Sequence, residues 1–269
     1  MKIKFIALAL AAIGISTLSA QNKIVVKGSD TLGAKLVPQL AEAYKGAGHG
    51  VTFEIAAEGS STAFTNLLAG AADIGMSSRG IKEEEKNNFL AKGFEIEEHV
   101  AGYDMIAVIV NEASGVEDLS LEQIQGIFTG DVTDWSELGG KAGPISVYTR
   151  NTSSGTYKSF QGMAMAKRDY GSNTQKMAGN EQIAQEVAGN PNGIGYVGLA
   201  YAGNKGVVAV KVAGVELKPE NAKDYAISRP LYYYTVKGKV SEAAAAFLAW
   251  AKSDAKAKEI VTRVGFIAP

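Results

Sequence analysis

The chain alternates short apolar runs with amphipathic stretches from about residue 23 onward. Ile24–Val26 reads as a strand, and the apolar positions of Thr31–Tyr44 recur at helical spacing, with Pro38 expected to kink that helix or delay its start. Residues 51–55 alternate as a strand does, and Ser60–Ala69 carries its apolar side chains on one helical face. A series of strands and helices in this order predicts a largely parallel sheet with helices on both faces.

The same alternation continues through a second series that starts near Tyr103. The first series ends with a predicted strand at 73–76 and a polar helix at 83–91. In the second series, strands are predicted at 105–110, 145–148, 194–197 and 232–236, and helices at 119–128, 154–166, 182–188 and 242–252. We expect the chain to cross between two domains near Gly102 and near Ser228–Pro230. Domain I would then comprise residues 21–102 plus 228–269, and domain II residues 103–227.

Residues 1–20 have the pattern of a secretory signal. Two lysines precede the apolar run Phe5–Ile13, which is too short to span a bilayer, and small residues follow as far as Ala20. No later segment approaches the ~18 consecutive apolar residues that a membrane helix needs. These features predict cleavage after Ala20 and a soluble, exported protein.

Composition narrows the classes of function. The chain has no cysteine, which excludes disulfides, thiol catalysis, thiolate metal sites and a lipoprotein anchor. Its formal net charge of −1 argues against nucleic acid as a partner. The two histidines, His49 and His99, belong to no metal-binding or hydrolase motif, so we expect no metal and no cofactor. Gly193–Gly198 matches a dinucleotide-binding pattern, but it lies inside a predicted strand instead of opening a helix.

Three turns rich in Gly, Ser and Thr each join a predicted strand to a helix: Gly28–Leu32, Gly59–Thr62 and Arg150–Thr156. The first N–H groups of a helix have no partner inside it, and the helix dipole places partial positive charge there. Serine and threonine hydroxyls add donors, and Arg150 adds a charge that can grip an oxyanion with two nitrogens. Any one such turn is most simply an N-cap. Three of them together predict a site for a small anion.

Several short motifs occur in an order that is typical of one family of proteins. The chain resembles the periplasmic phosphate-binding proteins of high-affinity phosphate ABC transporters over nearly all of its predicted mature length. The motifs that carry the resemblance are 28–31 (GSDT), 58–61 (EGSS), 72–79 (ADIGMSSR), 127–130 (IFTG) with Trp135, 149–156 (TRNTSSGT), 193–197 (GIGYV) and 228–232 (SRPLY).

This resemblance implies an α/β, two-domain type II periplasmic binding protein, with mixed sheets flanked by helices and a hinge between the domains. It implies capture of inorganic phosphate by a monomer, delivery to an ABC transporter permease in the membrane, and no catalysis. By position, the phosphate-binding residues would be Thr31, Leu32, Ser60, Ser78, Arg150, Ser154, Gly155 and Thr156.

One departure from the family pattern concerns the ligand. Many family members have an aspartate where this chain has Ser78. By this resemblance, the aspartate selects a protonated ligand, because it accepts a hydrogen bond from protonated phosphate and repels sulfate. Ser78 carries no charge, so sulfate or another tetrahedral oxyanion stays open as the ligand. Arg79 would be an additional ligand or the partner of a nearby acid such as Glu58 or Asp104. Two further functions also stay open: a periplasmic phosphatase, and an adhesin or sensor that works without a transporter.

Overall fold

The computed structural model describes residues 22–269. The predicted signal segment, residues 1–20, lies outside this range. Within the described residues, no helix is both long enough and apolar enough to cross a membrane.

Eleven strands are formed by the described residues. They are β1 (Lys23–Gly28), β2 (Thr52–Ala56), β3 (Ile74–Ser77), β4 (Ile96–Asn111), β5 (Asp118–Leu119), β6 (Ser146–Arg150), β7 (Gln175–Met177), β8 (Gly193–Gly198), β9 (Val207–Ala209), β10 (Lys211–Val212) and β11 (Ser228–Val236).

The same part of the chain forms nine α-helices. They are α1 (Asp30–Gly33), α2 (Leu36–Gly46), α3 (Ser60–Leu68), α4 (Glu83–Ala91), α5 (Leu121–Thr129), α6 (Gly155–Ala164), α7 (Asn180–Gly189), α8 (Glu242–Ser253) and α9 (Ala255–Val264). As expected from Pro38, the predicted helix at 31–44 is divided and α2 starts late. The proline occupies the first turn of α2, where its missing N–H is not needed.

A nine-stranded mixed sheet runs through the molecule in the order β2-β1-β3-β11-β4-β8-β6-β7, with β9 also paired to β4. Strands β5 and β10 form a separate two-stranded sheet. The expectation of a largely parallel sheet holds only at its two ends, where β1 pairs in parallel with β2 and β3, and β6 with β7 and β8. In the middle, β11 and β4 are antiparallel to each other and to their outer neighbours. The long strands β4 and β11 therefore join the two parallel ends.

Buried side chains divide along the sheet into two lobes, each with apolar clusters on two faces. In the first lobe, α2, α8 and α9 cover one face of β1, β3 and β11, while α3 and α4 contribute to the other face. In the second lobe, α5 and α6 cover one face of β4, β6 and β8, while α7 covers the other. This distribution agrees with a crossing near Gly102 and Ser228, although the domain boundaries themselves remain a prediction.

The neighbouring tyrosines of β11 show how the two faces of the sheet are used. Tyr233 is buried in the cluster under α8, and Tyr234 is buried in the cluster under α3. Strand alternation places adjacent side chains on opposite faces, so the run Tyr232–Tyr234 fills two cores instead of forming one aromatic surface.

Candidate functional site

The first predicted turn follows β1 directly. Gly28 has φ +133°, and a Cβ there would lie 2.2 Å from the Met76 carbonyl oxygen, so the turn requires glycine. Helix α1 begins two residues later, and the side chain of Thr31 in its first turn is fully buried. The side chain of Leu32 packs in the first lobe, which leaves its backbone N–H as the group available to a ligand.

The second predicted turn brings Ser60 to the end of strand β3. Gly59 has φ +125° and Ser60 is the first residue of α3. The Ser60 hydroxyl accepts a hydrogen bond from the Ser78 N–H at 2.9 Å, and the two hydroxyl oxygens lie 3.2 Å apart. Since the Ser60 oxygen already accepts a backbone bond, its hydroxyl hydrogen stays free to be donated.

The third predicted turn ends β6 and starts α6. Ser154 is the N-cap: its hydroxyl accepts from the Tyr157 N–H at 3.3 Å, and its own N–H donates to the Asn151 carbonyl at 3.2 Å. Gly155 and Thr156 are the first two residues of the helix, and the Thr156 side chain is fully buried. The capping interpretation is therefore correct for Ser154, whose hydroxyl still retains its hydrogen.

The three turns meet between the lobes. The hydroxyl of Thr31 lies 3.0 Å from that of Thr156, and the hydroxyl of Ser78 lies 3.4 Å from the same Thr156 oxygen. The lobes are closed on each other here, because the Ser61 N–H donates to the Ser153 carbonyl and the Ser153 hydroxyl donates to the Glu58 carbonyl. Hydroxyls that lie more than 75 residues apart in the chain thus form one buried cluster.

Arg150 stands at the end of β6 with only 1% of its surface exposed. Its Nη2 donates to the Ala178 carbonyl at 2.8 Å. Its Nη1 lies 3.2 Å from Asp30 Oδ1 without the alignment of a hydrogen bond, and Nε likewise has no hydrogen-bond partner among residues 22–269. Burial lowers the pKa of the guanidinium and Asp30 opposes that shift, but arginine stays charged at neutral pH. The site therefore holds a buried cation in which two donor nitrogens, Nε and Nη1, have no hydrogen-bond partner among residues 22–269.

Asp30, to which the sequence analysis gave no role, connects the lobes beside this arginine. Its Oδ1 accepts from the backbone N–H of Asn180 at 2.9 Å and from the Asn180 side-chain amide at 2.7 Å. Asn180 is the first residue of α7 and is fully buried. An acidic residue at a helix N-terminus is favourable, and here the acid comes from the opposite lobe.

A second buried ion pair, between Asp104 and Arg229, was also not predicted from the sequence. Asp104 is fully buried, and Arg229 is 5% exposed. The Arg229 Nη2 donates to Asp104 Oδ2 at 2.8 Å and to the Thr156 hydroxyl oxygen at 2.9 Å. Burial raises the pKa of the Asp104 carboxyl, and the neighbouring Arg229 opposes that shift. The motif at 228–232 contained this arginine, but nothing in its spacing showed that it would point towards the third turn.

Arg79 is placed beside the cluster and not within it. Its two terminal nitrogens donate to the Glu85 carboxylate at 2.7 and 2.6 Å, and Nη2 also lies 3.3 Å from the Ser61 hydroxyl. The acidic partner is thus Glu85 instead of Glu58 or Asp104. Since the carboxylate occupies both terminal nitrogens, the geometry favours a structural role over a ligand contact.

The cluster offers donors for an oxyanion and little for a metal. Among the residues that the structure describes, no group of three or more His, Cys, Asp or Glu side chains is arranged to hold a metal ion. The hydroxyls of the three turns and the helix N-termini beside them are groups that can bind an anion without a metal.

Comparisons with known proteins identify the family to which the chain belongs. A family model described as the PBP superfamily domain matches residues 16–255. The chain is 34% identical to the phosphate-binding protein PstS of Pseudomonas aeruginosa over 230 residues, covering 78% of this chain and 71% of that protein. It is 31% identical to the phosphate-binding protein PstS of Bacillus subtilis over 250 residues, covering 92% and 81%.

Solved structures extend the likeness to the fold. A phosphate ABC transporter substrate-binding protein from Clostridium perfringens, solved with bound phosphate, is 36% identical with a TM-score of 0.85 and covers 92% of this chain and 100% of that one. An ABC-type phosphate transport receptor from Vibrio cholerae is 28% identical with a TM-score of 0.75, covering 91% and 100%. This chain therefore belongs to the PBP superfamily and, within it, to the family of PstS phosphate-binding proteins with the type II periplasmic binding fold.

Proposed function

We propose that this protein binds inorganic phosphate between its two lobes and delivers it to the permease of an ABC transporter. The observation that carries the proposal is the environment of Arg150, whose Nε and Nη1 are buried without hydrogen-bond partners among residues 22–269. Family membership and the phosphate-bound relative from Clostridium perfringens support the choice of ligand.

The donors assigned to phosphate come from both lobes. Thr31, Leu32, Ser60 and Ser78 would contribute from the first lobe, and Arg150, Ser154, Gly155 and Thr156 from the second. The Ser60 and Ser154 hydroxyls each accept a backbone N–H and keep their hydrogens for the anion. The cleft excludes water when closed, which strengthens the attraction of Arg150 for a dianion. Arg79 is left out because Glu85 binds both of its terminal nitrogens.

The lobes supply the means of capture and release. The hydrogen bond between the Thr31 and Thr156 hydroxyls and the pair Asp30–Arg150 both cross the cleft. Opening about β4 and β11 would break these contacts and expose the donors together. Hinged closure around a ligand is the usual behaviour of periplasmic binding proteins. The protein would act as an exported monomer after loss of residues 1–20 and would catalyse no reaction.

Titration calorimetry of the phosphate-free mature protein, with phosphate and then with sulfate near neutral pH, tests the proposal. We expect one-to-one binding of phosphate. Sulfate is the second candidate, favoured by Ser78: a serine hydroxyl can donate to a fully ionised oxygen, where an aspartate would repel it. Binding of sulfate alone would replace phosphate as the ligand, and heat from neither anion would overturn the proposal. Turnover of an aryl phosphate would instead indicate a phosphatase.

A further inference from the structure

The guanidinium of Arg229 joins several elements immediately behind the oxyanion site. Its Nε and Nη2 donate to Asp104 Oδ2 at 3.1 and 2.8 Å. Its Nη1 donates to the Ser78 carbonyl at 2.9 Å, and its Nη2 also donates to the Thr156 hydroxyl oxygen at 2.9 Å. These bonds link β11 to β4, to the end of β3 and to the first turn of α6. All three nitrogens of Arg229 are therefore fixed.

The bond to Thr156 determines which way its hydroxyl points. A threonine hydroxyl has one hydrogen to donate and lone pairs to accept, whereas arginine only donates. Thr156 Oγ1 must therefore accept from Arg229, and its own hydrogen must point elsewhere. The hydroxyl oxygens within reach are those of Thr31 at 3.0 Å and Ser78 at 3.4 Å, and both belong to the proposed site.

We infer that Arg229 is a positioning residue for anion recognition: it makes the Thr156 hydroxyl an obligatory donor to the bound oxyanion. The inference rests on the function proposed above. Arg229 does not act as a second charge for the ligand, because the fully buried Asp104 neutralises it. Its contribution is orientation: in the closed form it occupies a lone pair of the Thr156 hydroxyl and directs the hydroxyl hydrogen towards the anion.

The same contacts make Arg229 sensitive to closure. Ser78 belongs to the first lobe and Thr156 to the second, so one guanidinium satisfies acceptors on both sides of the cleft. When the lobes separate, the bond to Thr156 is the one that is lost, since Asp104 lies opposite Arg229 in the β4–β11 pair and Ser78 directly follows β3, which also pairs with β11. The Thr156 hydroxyl would thus be oriented only in the closed form that holds the ligand.

A double-mutant cycle tests whether Arg229 acts through Thr156. Arg229→Gln alone would leave Asp104 charged, buried and unpaired, which is strongly destabilising, so it is combined with Asp104→Asn. Phosphate affinity is measured by calorimetry for the wild type, the pair variant, Thr156→Val and the combination of all three changes. We expect the pair variant and Thr156→Val each to weaken binding about tenfold or more.

The combined variant decides the outcome. If Arg229 acts by orienting Thr156, the combined variant should bind phosphate no more than about threefold more weakly than Thr156→Val alone. Losses that multiply would overturn the inference, because Arg229 would then support the site independently of that hydroxyl. A wild type that binds neither phosphate nor sulfate would defeat the proposed function itself, which is a distinguishable result.

A second variant keeps the test decisive if the pair variant does not fold. Arg229→Lys retains a charge opposite Asp104, but a single ammonium cannot reproduce the planar fork that reaches Asp104, Ser78 and Thr156 together. We expect it to weaken phosphate binding in the wild-type background and to have little effect in the Thr156→Val background. Equal losses in both backgrounds would contradict the inference. Arg168→Gln, at an exposed pair with Asp131, serves as the control and should bind like the wild type.

Discussion

Asp30 Oδ1 lies 3.2 Å from Arg150 Nη1, and the two residues belong to opposite lobes. Asp30 starts α1 in the first lobe, whereas Arg150 ends β6 in the second. The buried arginine thus receives its counter-ion only when the lobes come together. Closure brings Asp30 and the hydroxyls of the first lobe to Arg150 in the same movement, which couples the state of the hinge to the electrostatics of the site.

We expect Arg150→Ala to weaken phosphate binding at least a hundredfold, because the variant loses the charge and two donor nitrogens. The thermal midpoint of the ligand-free protein should change little. Burial lowers the pKa of this guanidinium, so its charged form gives the fold no strong stabilisation. Calorimetry and thermal unfolding without ligand measure the two effects.

The matched control is Arg168→Ala, which removes an exposed arginine of the same lobe that is paired with Asp131. It should leave both phosphate affinity and the thermal midpoint near the wild-type values, since exposed pairs contribute little. A large loss of ligand-free stability in Arg150→Ala with binding retained would show that Arg150 is structural and that the site lies elsewhere.

Asp30→Asn removes the negative charge that pairs with Arg150 across the cleft. The amide oxygen can still accept from Asn180, but Arg150 loses its counter-ion in a buried site. Because Asp30 meets Arg150 only when the lobes close, the ligand-free midpoint should change little. The increase caused by saturating phosphate should become larger than in the wild type, because the anion alone then neutralises Arg150 in the closed form. An equal increase in both proteins would contradict this reading. Glu54→Gln, at an exposed pair with Lys23, is the control.

The sequence predicts best those parts of the fold that depend on residues close together in the chain. The strand at 24–26 and the helix at 83–91 come from local periodicity and match β1 and α4 closely. The predicted strand at 105–110 is only the buried part of β4, because residues 96–104 pair with β11, more than a hundred residues away. Local patterns carry no information about that partner, and they likewise do not show that the middle of the sheet is antiparallel.

The C-terminal helix α9 was missed although its pattern is present. Ala257, Ile260 and Val261 recur at helical spacing and are buried in the first lobe, but the charged residues around them lower the mean hydropathy. The N-cap Asp254, which accepts from the Lys256 and Ala257 N–H groups, was the available signal.

In the candidate site, too, the local features were predicted from the sequence and the long-range contacts were not. The three turns were predicted one by one from their Gly, Ser and Thr content, since each is a strand-to-helix junction. The partners of the arginines were not predicted: Asp30 reaches Arg150 across 120 positions of the chain, and Asp104 reaches Arg229 across 125. Such pairs depend on how the two lobes close, which single-sequence patterns do not encode.

Ser78→Asp should increase the selectivity for phosphate over sulfate. A carboxylate in this buried position would accept a hydrogen bond from a protonated phosphate oxygen and repel fully ionised sulfate. We expect the ratio of phosphate to sulfate affinity to rise at least tenfold over the wild type, measured by calorimetry near pH 6.5. Ser78→Ala, which adds no charge, should shift the ratio less. A ratio that stays the same in Ser78→Asp would mean that residue 78 does not contact the anion.

His99 should make the fold less stable in mild acid. It is half-buried, and Nε2 lies 3.1 Å from the Thr235 hydroxyl. Burial lowers its pKa, an effect that Glu97 and Glu98 oppose and Lys252 reinforces. Because the folded pKa lies below the unfolded value of about 6.5, this stability is present above pH 6.5 and lost as pH falls through the folded pKa. The thermal midpoint should drop less between pH 7 and 5 in His99→Gln; equal drops would contradict the assignment.

Gly155 allows the lobes to close, and Gly155→Ala should prevent it. A Cβ at this position would lie 2.3 Å from the Ser60 hydroxyl oxygen and 2.7 Å from that of Ser78, both across the cleft. Phosphate binding should weaken at least a hundredfold, while ligand-free stability should not fall, because alanine favours helix over glycine. Small-angle scattering with phosphate should show a larger radius of gyration than the wild type.

Gly162→Ala provides the comparison within the same helix, since a Cβ at Gly162 meets no atom within 4 Å. This variant gains the same helix propensity without touching the first lobe, so it should bind phosphate and compact like the wild type. If Gly155→Ala also bound phosphate normally, the Ser60 and Ser78 hydroxyls would have room to move aside. The anion would then not be enclosed by these two serines and the start of α6, and the assignment of Ser60, Ser78 and Gly155 to one site would be wrong.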